Sequence, residues 1–202
     1  MFENLKKTIE VIAMMPVSEE RKEILKSLVA FIQKKADEGE RINLNFICTH
    51  NSRRSHLSQV WAQVMSEYFN IKNVFCYSGG TESTAMFSKV AETLRNQGME
   101  FQQLTHTDNP VYTVKYAQNV HPIICFSKKY DDAFNPVSDF AAIMTCSNAD
   151  AGCPFIAGAA QRIAVKFDDP KSSDGTQEMN NVYAERSLEI AAEMYYVMKS
   201  VQ

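Results

Sequence analysis

An α/β fold with a mainly parallel sheet is what the sequence predicts, and three features predict it. Strand-like runs alternate with helical ones along most of the chain. Phe140 to Thr145 and Ile163 to Phe167 are continuous apolar runs, the pattern of strands buried on both faces. Each leads directly into chemistry-bearing residues, Cys146 in one case and Asp168, Asp169 and Pro170 in the other, as parallel strands do at their carboxyl ends. With 202 residues the chain is long enough for one such domain with a well-buried core, and too short for two full domains and a linker.

The elements follow in order. Residues 2 to 14 read as a short helix ending before Pro16, and Ser18 offers an N-cap to a second helix. Its apolar face carries Ile24, Leu25, Leu28, Val29 and Ile32, and Gly39 closes it. We assign residues 1–41 to a helical extension and residues 42–202 to the α/β domain. From Ile42 the period changes, with Ile42, Leu44 and Phe46 alternating against Asn43 and Asn45, and this strand runs straight into Cys48. After a polar loop, Leu57, Val60, Trp61, Val64, Met65 and Tyr68 recur at helical spacing, so a helix starts at Ser55 or its neighbours. Val74 to Tyr77 is a second strand ending at Gly79 and Gly80, and Phe87, Val90, Ala91 and Leu94 mark a helix stopped by Gly98. This βαβα unit predicts a right-handed crossover and a parallel strand pair. Val111 to Tyr116 and Ile123 to Phe126 fit two strands, or one strand and a buried connection. Ala184 to Met198 has the spacing of a closing helix.

Composition narrows the function. Hydrophobic and charged shares of 45% and 22% are ordinary for a globular protein, which excludes wholesale disorder, and nothing approaches a membrane span. A net charge of −3 offers no basic footprint for nucleic acid. The apolar run Val11 to Met15 is too short for a signal peptide, and Glu3 and Glu10 interrupt it. Five cysteines, an odd number in a chain too large to need disulfide staples, point to a reducing compartment, the cytoplasm.

Cys48-Thr49-His50-Asn51-Ser52-Arg53-Arg54-Ser55 lies between a strand and a helix. There, successive backbone N–H groups converge on an anion and the helix dipole adds positive potential, a geometry suited to a tetrahedral oxyanion. Arg54 presents a planar fork to two oxygens, and the same field favours a thiolate at Cys48. The Ser55 hydroxyl can donate to the sulfur, and Asn51 can brace the loop through its amide. A Cys-x5-Arg spacing alone arises by chance; its place between a strand and an amphipathic helix gives it weight. Cys146 and Cys153 stand seven residues apart in a small, polar segment ending at Pro154. A disulfide needs Cα atoms within about 7 Å. An ideal helix holds such residues farther apart, so pairing requires local unwinding. Zinc cysteines usually lie two to four residues apart, and no metal is assigned. Cys76 and Cys125 read as core residues. Asp168-Asp169-Pro170 by itself reads as a turn.

In Asn45 to Trp61, Cys146 to Pro154 and Phe167 to Pro170 the chain resembles the low-molecular-weight protein tyrosine phosphatase superfamily, and within it the thioredoxin-coupled arsenate reductases. The resemblance spans roughly residues 42–202 and is loose over 100–139. It implies a three-layer sandwich around a central, mainly parallel sheet of four or more strands. It also implies that Cys48 is the nucleophile, that Arg54 clamps the oxyanion within a loop of Thr49, His50, Asn51, Ser52, Arg53, Arg54 and Ser55, and that Asp169 is general acid for the leaving oxygen. In the reductases the first later cysteine attacks the nucleophile once arsenate is bonded to it, and the second displaces it. That cascade would run from Cys48 to Cys146 to Cys153, with the last disulfide passed to thioredoxin or another thiol donor and no tightly bound cofactor.

Three departures stand out. His50 replaces a common glycine, Arg53 replaces a frequent cysteine, and Gln59 falls where some reductases use a glutamate to help hold potassium. Three functions are therefore weighed: arsenate reduction, supported by Cys146 and Cys153; hydrolysis of phosphotyrosine or a small phosphate ester, supported by Cys48 and Asp169; and oxyanion binding or redox sensing without turnover. Against a tyrosine phosphatase, Lys171-Ser172-Ser173-Asp174-Gly175 lacks the aromatic residues that sandwich a substrate ring.

Overall fold

The computed structural model describes residues 1–153 and 155–202; Pro154, which ends the second cysteine segment, lies outside them. Helices α1 (Glu3–Ala13) and α2 (Glu19–Asp37) precede β1 (Ile42–Cys48), α3 (Arg54–Tyr68), β2 (Val74–Gly80) and α4 (Ser88–Asn96). Three short strands follow, β3 (Glu100–Gln103), β4 (Tyr112–Lys115) and β5 (Ile123–Cys125), then β6 (Phe140–Met144), α5 (Ser147–Gly152), β7 (Ala159–Ala164), a 3-10 turn at Pro170–Ser173 and α6 (Met179–Ser200).

The main sheet has the order β2-β1-β6-β7 and is parallel throughout. Because side chains alternate across a strand, Ile42, Leu44 and Phe46 face one side with Ala141, Ile143 and Ile163, where they join the buried faces of α1, α2, α3, α4 and α6. Ile47, Phe140, Ala142 and Met144 face the other side, against Ala149 of α5 and Ile156. The sheet is thus flanked by helices on both faces, with most of the helical mass on one.

The asparagines of β1 are not solvent-facing. Asn43 and Asn45 are 8% and 0% exposed, because residues 126–139 cross that face and bring carbonyls that need donors. Asn45 Nδ2 donates to Tyr130 O at 3.1 Å, and Asn135 Nδ2 donates to Ser78 O at 3.1 Å.

Several boundaries differ from the sequence reading. The run expected as a strand over Ile163 to Phe167 belongs to β7 only as far as Ala164, and the strand begins at Ala159. Val165 and Phe167 still donate to Met144 O and Thr145 O, so an extended segment continues past the strand toward Asp169. The middle of the chain contains both Tyr112–Lys115 and Ile123–Cys125 as strands, plus the unanticipated β3, in a separate antiparallel sheet β3-β4-β5. The end of β2 at Gly80, by contrast, is where the sequence puts it. The closing helix starts at Met179, ahead of Ala184.

The N-terminal helices are firmly seated. Leu5, Ile9, Leu25, Leu28 and Ile32 are all 0% exposed, and α1 crosses so close to Gly98 that a Cβ there would lie 2.3 Å from Leu5 N. Gly98 also sits at φ +99, a region that disfavours any other residue. On α2, Arg21 makes a two-pronged ion pair with Glu193 of α6, at 2.6 and 2.8 Å.

Candidate active site

The strand order places β1 and β6 side by side, and Cys48 and Cys146 both stand at their carboxyl ends. This is the switch point of the sheet, where neighbouring crossovers leave in different directions and open a crevice. The last ladder pair is Ile47 with Met144, and Thr145 then donates twice to Ile47 O, through its N–H at 2.7 Å and its hydroxyl at 3.0 Å.

Residues 48–53 form the turn between β1 and α3. Its tight path needs Asn51 at φ 44, a left-handed conformation that asparagine tolerates better than most residues. Asn51 then ties the loop in three directions. Its Nδ2 donates to Ser55 Oγ at 2.8 Å, its Oδ1 accepts from Lys128 N at 2.9 Å, and its carbonyl meets His56 Nε2 at 2.9 Å. Ser55 Oγ lies 3.1 Å from Cys48 Sγ. Since that oxygen already accepts from Asn51, its own hydrogen is free to point at the sulfur. The end of β2 lies against the loop: Thr81 N and Glu82 N donate to Cys48 O and Thr49 O at 3.1 and 2.8 Å. A Cβ on Gly80 would come within 2.7 Å of Asn51 N and Thr49 O, so only glycine permits this approach.

Cys48, Thr49, His50, Ser52, Arg53, Arg54 and Asp169 line one small concavity. The two arginines are used differently. Arg54 donates from Nη2 to Asp169 Oδ2 at 2.5 Å and from Nη1 to Phe167 O at 2.9 Å, while its buried Nε has no partner among the described residues. Arg53 instead sends its guanidinium to Tyr183 Oη at 2.6 Å and Asp174 Oδ2 at 2.5 Å, stacked 4.3 Å from the Phe87 ring. It anchors the loop to α6, and only its backbone is left for an anion. The His50 side chain is half exposed, 3.5 Å from Glu82. Its carbonyl accepts from Ser127 Oγ at 2.9 Å. Asp169 also accepts from Lys171 N at 3.1 Å, capping the 3-10 turn, whereas the Asp168 side chain is 95% exposed.

Cys146 is 2% exposed, and its sulfur lies 3.5 Å from Thr49 Oγ1, on the residue after Cys48. It also caps α5, accepting from Ala149 N at 3.4 Å. Cys153 stands at the other end of α5, partly exposed, its carbonyl held by Arg162 Nε at 3.0 Å. Cys76 and Cys125 are buried and do not line this concavity. Burial pushes both thiols up, Cys125 to about 12 even with the charge of Lys128 nearby, which keeps them protonated. Gln59 is spent on structure, donating to Cys76 O at 3.1 Å and Ile124 O at 3.2 Å. A larger cavity of about 460 Å³, between β2 and β5, lies beside it and carries neither Cys48 nor Arg54.

Sequence reasoning missed the underside of the loop. His56 is 0% exposed, wedged between Asn51 O and Ser78 Oγ, and Lys128 is 2% exposed. The only sequence trace of either is position: His56 follows Ser55 in the motif, and Lys128 closes the apolar run from Ile123.

No protein-family model matches the chain. Arsenate reductase 2 of Staphylococcus epidermidis is 25% identical over 132 residues, 65% of this chain and 80% of that protein. The arsenate reductase of Staphylococcus aureus strain Newman is 26% identical over 127 residues, 62% and 76% of the two chains. Among solved structures, a low-molecular-weight phosphotyrosine phosphatase from Vibrio cholerae superposes with a TM-score of 0.51 at 14% identity, over 78% of this chain and 94% of that one. No helix among the described residues is long and apolar enough to cross a membrane. Over about two thirds of its length the chain is thus similar to bacterial arsenate reductases, and it carries the low-molecular-weight phosphatase fold.

Proposed function

We propose that the protein reduces arsenate to arsenite through Cys48, Cys146 and Cys153. One observation carries the reading: Cys146 Sγ lies 3.5 Å from Thr49 Oγ1, which puts a second buried thiol beside the nucleophile's own loop. Hydrolysis of an ester has no use for it.

The Cys48 thiolate attacks arsenic while Arg54 and the backbone N–H groups of 49–55 hold the oxyanion, and one oxygen leaves as water with a proton from Asp169. Arg54 must turn from Asp169 toward the anion, which its forked guanidinium can do while Nη1 stays on Phe167 O. Cys146, as its thiolate, then attacks Cys48 Sγ. The S–As electron pair passes to arsenic, arsenite departs, and a Cys48–Cys146 disulfide remains. Cys153 attacks Cys146 Sγ, Cys48 leaves as a thiolate, and a thiol reductant of the thioredoxin kind reduces the Cys146–Cys153 bond.

The last exchange requires α5 to open. Seven residues of helix span about 10 Å, beyond the roughly 7 Å a disulfide allows. A helix of six residues is marginal by itself, so unwinding it is cheap. The ties to be released include Arg162 to Asp150, at 2.5 Å, Lys166 to Asp150, at 3.0 Å, Arg162 Nε to Cys153 O, at 3.0 Å, and Ala149 N to Cys146 Sγ, at 3.4 Å.

A phosphatase reading keeps one supporting feature, Asp169 in the same concavity as Cys48 and Arg54. The two are separated by assaying arsenate reduction with thioredoxin and p-nitrophenyl phosphate hydrolysis side by side. Cys146→Ser and Cys153→Ser are expected to spare hydrolysis and block multiple-turnover reduction, with Cys153→Ser trapping a Cys48–Cys146 disulfide visible by peptide mass mapping. Reduction at the wild-type rate by both variants would end the cascade reading.

A further inference from the structure

Lys128 has no role in the chemistry just described, and its setting is unusual. It is 2% exposed, and lysine is almost never buried this far without a carboxylate partner. None lies within ion-pair distance of it among the described residues. Its Nζ sits 4.4 Å from the Phe126 ring centroid and 5.2 Å from that of Phe134, with one long hydrogen bond, 3.4 Å, to Phe126 O. Two aromatic faces and a carbonyl partly replace lost water but supply no counter-charge.

The backbone of the same residue is tied to the anion loop. The Lys128 backbone N–H holds Asn51 Oδ1 at 2.9 Å, and the adjoining Ser127 hydroxyl holds His50 O at 2.9 Å. Its charge reaches His56, whose Nε2 is 2.9 Å from Asn51 O, and helps keep that imidazole neutral. The groups that face Lys128 are Cys125 on β5, Asp132 on the following loop and His56 on α3. Cys125 is protonated, and the Asp132 carboxylate is engaged with Phe134 N at 2.9 Å. Among the described residues Asp132 is thus the one anionic group facing the ammonium, too far for an ion pair, and it offsets the charge only in part.

We propose that Lys128 is a positioning residue for oxyanion binding: its backbone N–H braces Asn51, and its buried ammonium strengthens the field a dianion meets at the 48–55 loop. This rests on the reading of that loop as the oxyanion site. Burial lowers the Lys128 ammonium to about 8, so the charge is present at neutral pH and is lost as the solution becomes alkaline.

The test measures inorganic sulfate binding by calorimetry at pH 7 and pH 9.5, under reducing conditions, for wild type, Lys128→Met and Lys128→Arg. Sulfate remains a dianion throughout, so the ligand does not titrate. Wild type is expected to lose roughly tenfold in affinity between the two pH values beyond whatever loss the variants share. Lys128→Met should bind about tenfold more weakly at pH 7, without the extra alkaline loss. Lys128→Arg, charged at both pH values, should stay near the wild-type affinity at pH 7 and exceed wild type at pH 9.5. A merely structural lysine would lower the melting temperature of Lys128→Met without changing this pH pattern. Should Lys128→Met fail to fold, wild type against Lys128→Arg at pH 9.5 decides the matter alone. Equal affinities and parallel pH profiles overturn the inference; absence of any sulfate site in wild type overturns the oxyanion-loop reading along with it.

Discussion

Acidification should destabilise this protein through one residue, His56. It is 0% exposed, and its Nε2 faces Asn51 O at 2.9 Å. A carbonyl only accepts, so Nε2 carries the proton and Nδ1, 3.2 Å from Ser78 Oγ, is a bare acceptor. Burial first, and then the charge of Lys128, pulls the imidazole down from 6.5 to about 3. The unfolded chain therefore takes up a proton near pH 6.5 and the native one only near pH 3. This stabilisation is fully present above 6.5 and is lost as pH falls toward 3, at about 1.4 kcal/mol per pH unit. Between pH 7.5 and 4.5 the loss comes to about 2.5 kcal/mol, a large part of an ordinary 5–15 kcal/mol stability. Glu193 opposes it slightly, because burial raises its carboxyl against the hydrogen bond from Arg21, so it favours the native state as pH falls. Urea unfolding followed by fluorescence of Trp61, the single tryptophan and fully buried, gives the stability at each pH. His56→Gln should be less stable at pH 7.5 but show a much flatter acid slope. If the variant and wild type lose stability in parallel between pH 7.5 and 4.5, His56 is not the group responsible and the reasoning fails.

Other perturbations address the site directly. Arg54→Lys should weaken sulfate binding by about tenfold or more, since an ammonium cannot present two parallel donors; calorimetry showing unchanged affinity would remove Arg54 from the clamp. Asp169→Asn should slow p-nitrophenyl phosphate hydrolysis less than hydrolysis of esters with poor leaving groups, for which a roughly 10²–10⁴-fold loss is expected; equal losses would make Asp169 structural. Arg21→Met leaves the Glu193 carboxylate, 3% exposed, without its partner. The cost should be about 2–3 kcal/mol in urea unfolding, short of the range for a sealed pair because Arg21 still touches water, and Arg21→Met with Glu193→Met together should recover most of it.

Local pattern made much of this molecule legible. Cys48 at a strand end, the amphipathic run from Leu57 to Tyr68 and the apolar strand before Cys146 each show in a few consecutive residues, because helix and strand periods are local properties. The antiparallel sheet over 100–125 was harder to read, since strands of three and four residues carry too few alternations to set a period. The end of β7 was misplaced for a related reason: Val165 and Phe167 are buried and apolar like strand residues, yet past Ala164 the chain only follows the loop edge of β6.

The amino-acid order by itself determined the setting of Cys48: Asn51, Arg54 and Ser55 follow it at distances a single turn can close, so their relation to the sulfur needs no distant partner. Tertiary structure alone decided what surrounds that turn. Gly80 lets β2 press against it, Lys128 closes it from below at a separation of 77 residues from Asn51, and Arg53 is drawn off to Asp174, 121 residues away. Cys146 reaches Thr49 across 97 residues only because β1 and β6 are neighbours in the sheet. Such contacts are set by which strands pair and by how buried polar groups find partners. No window of sequence contains both halves of the bond.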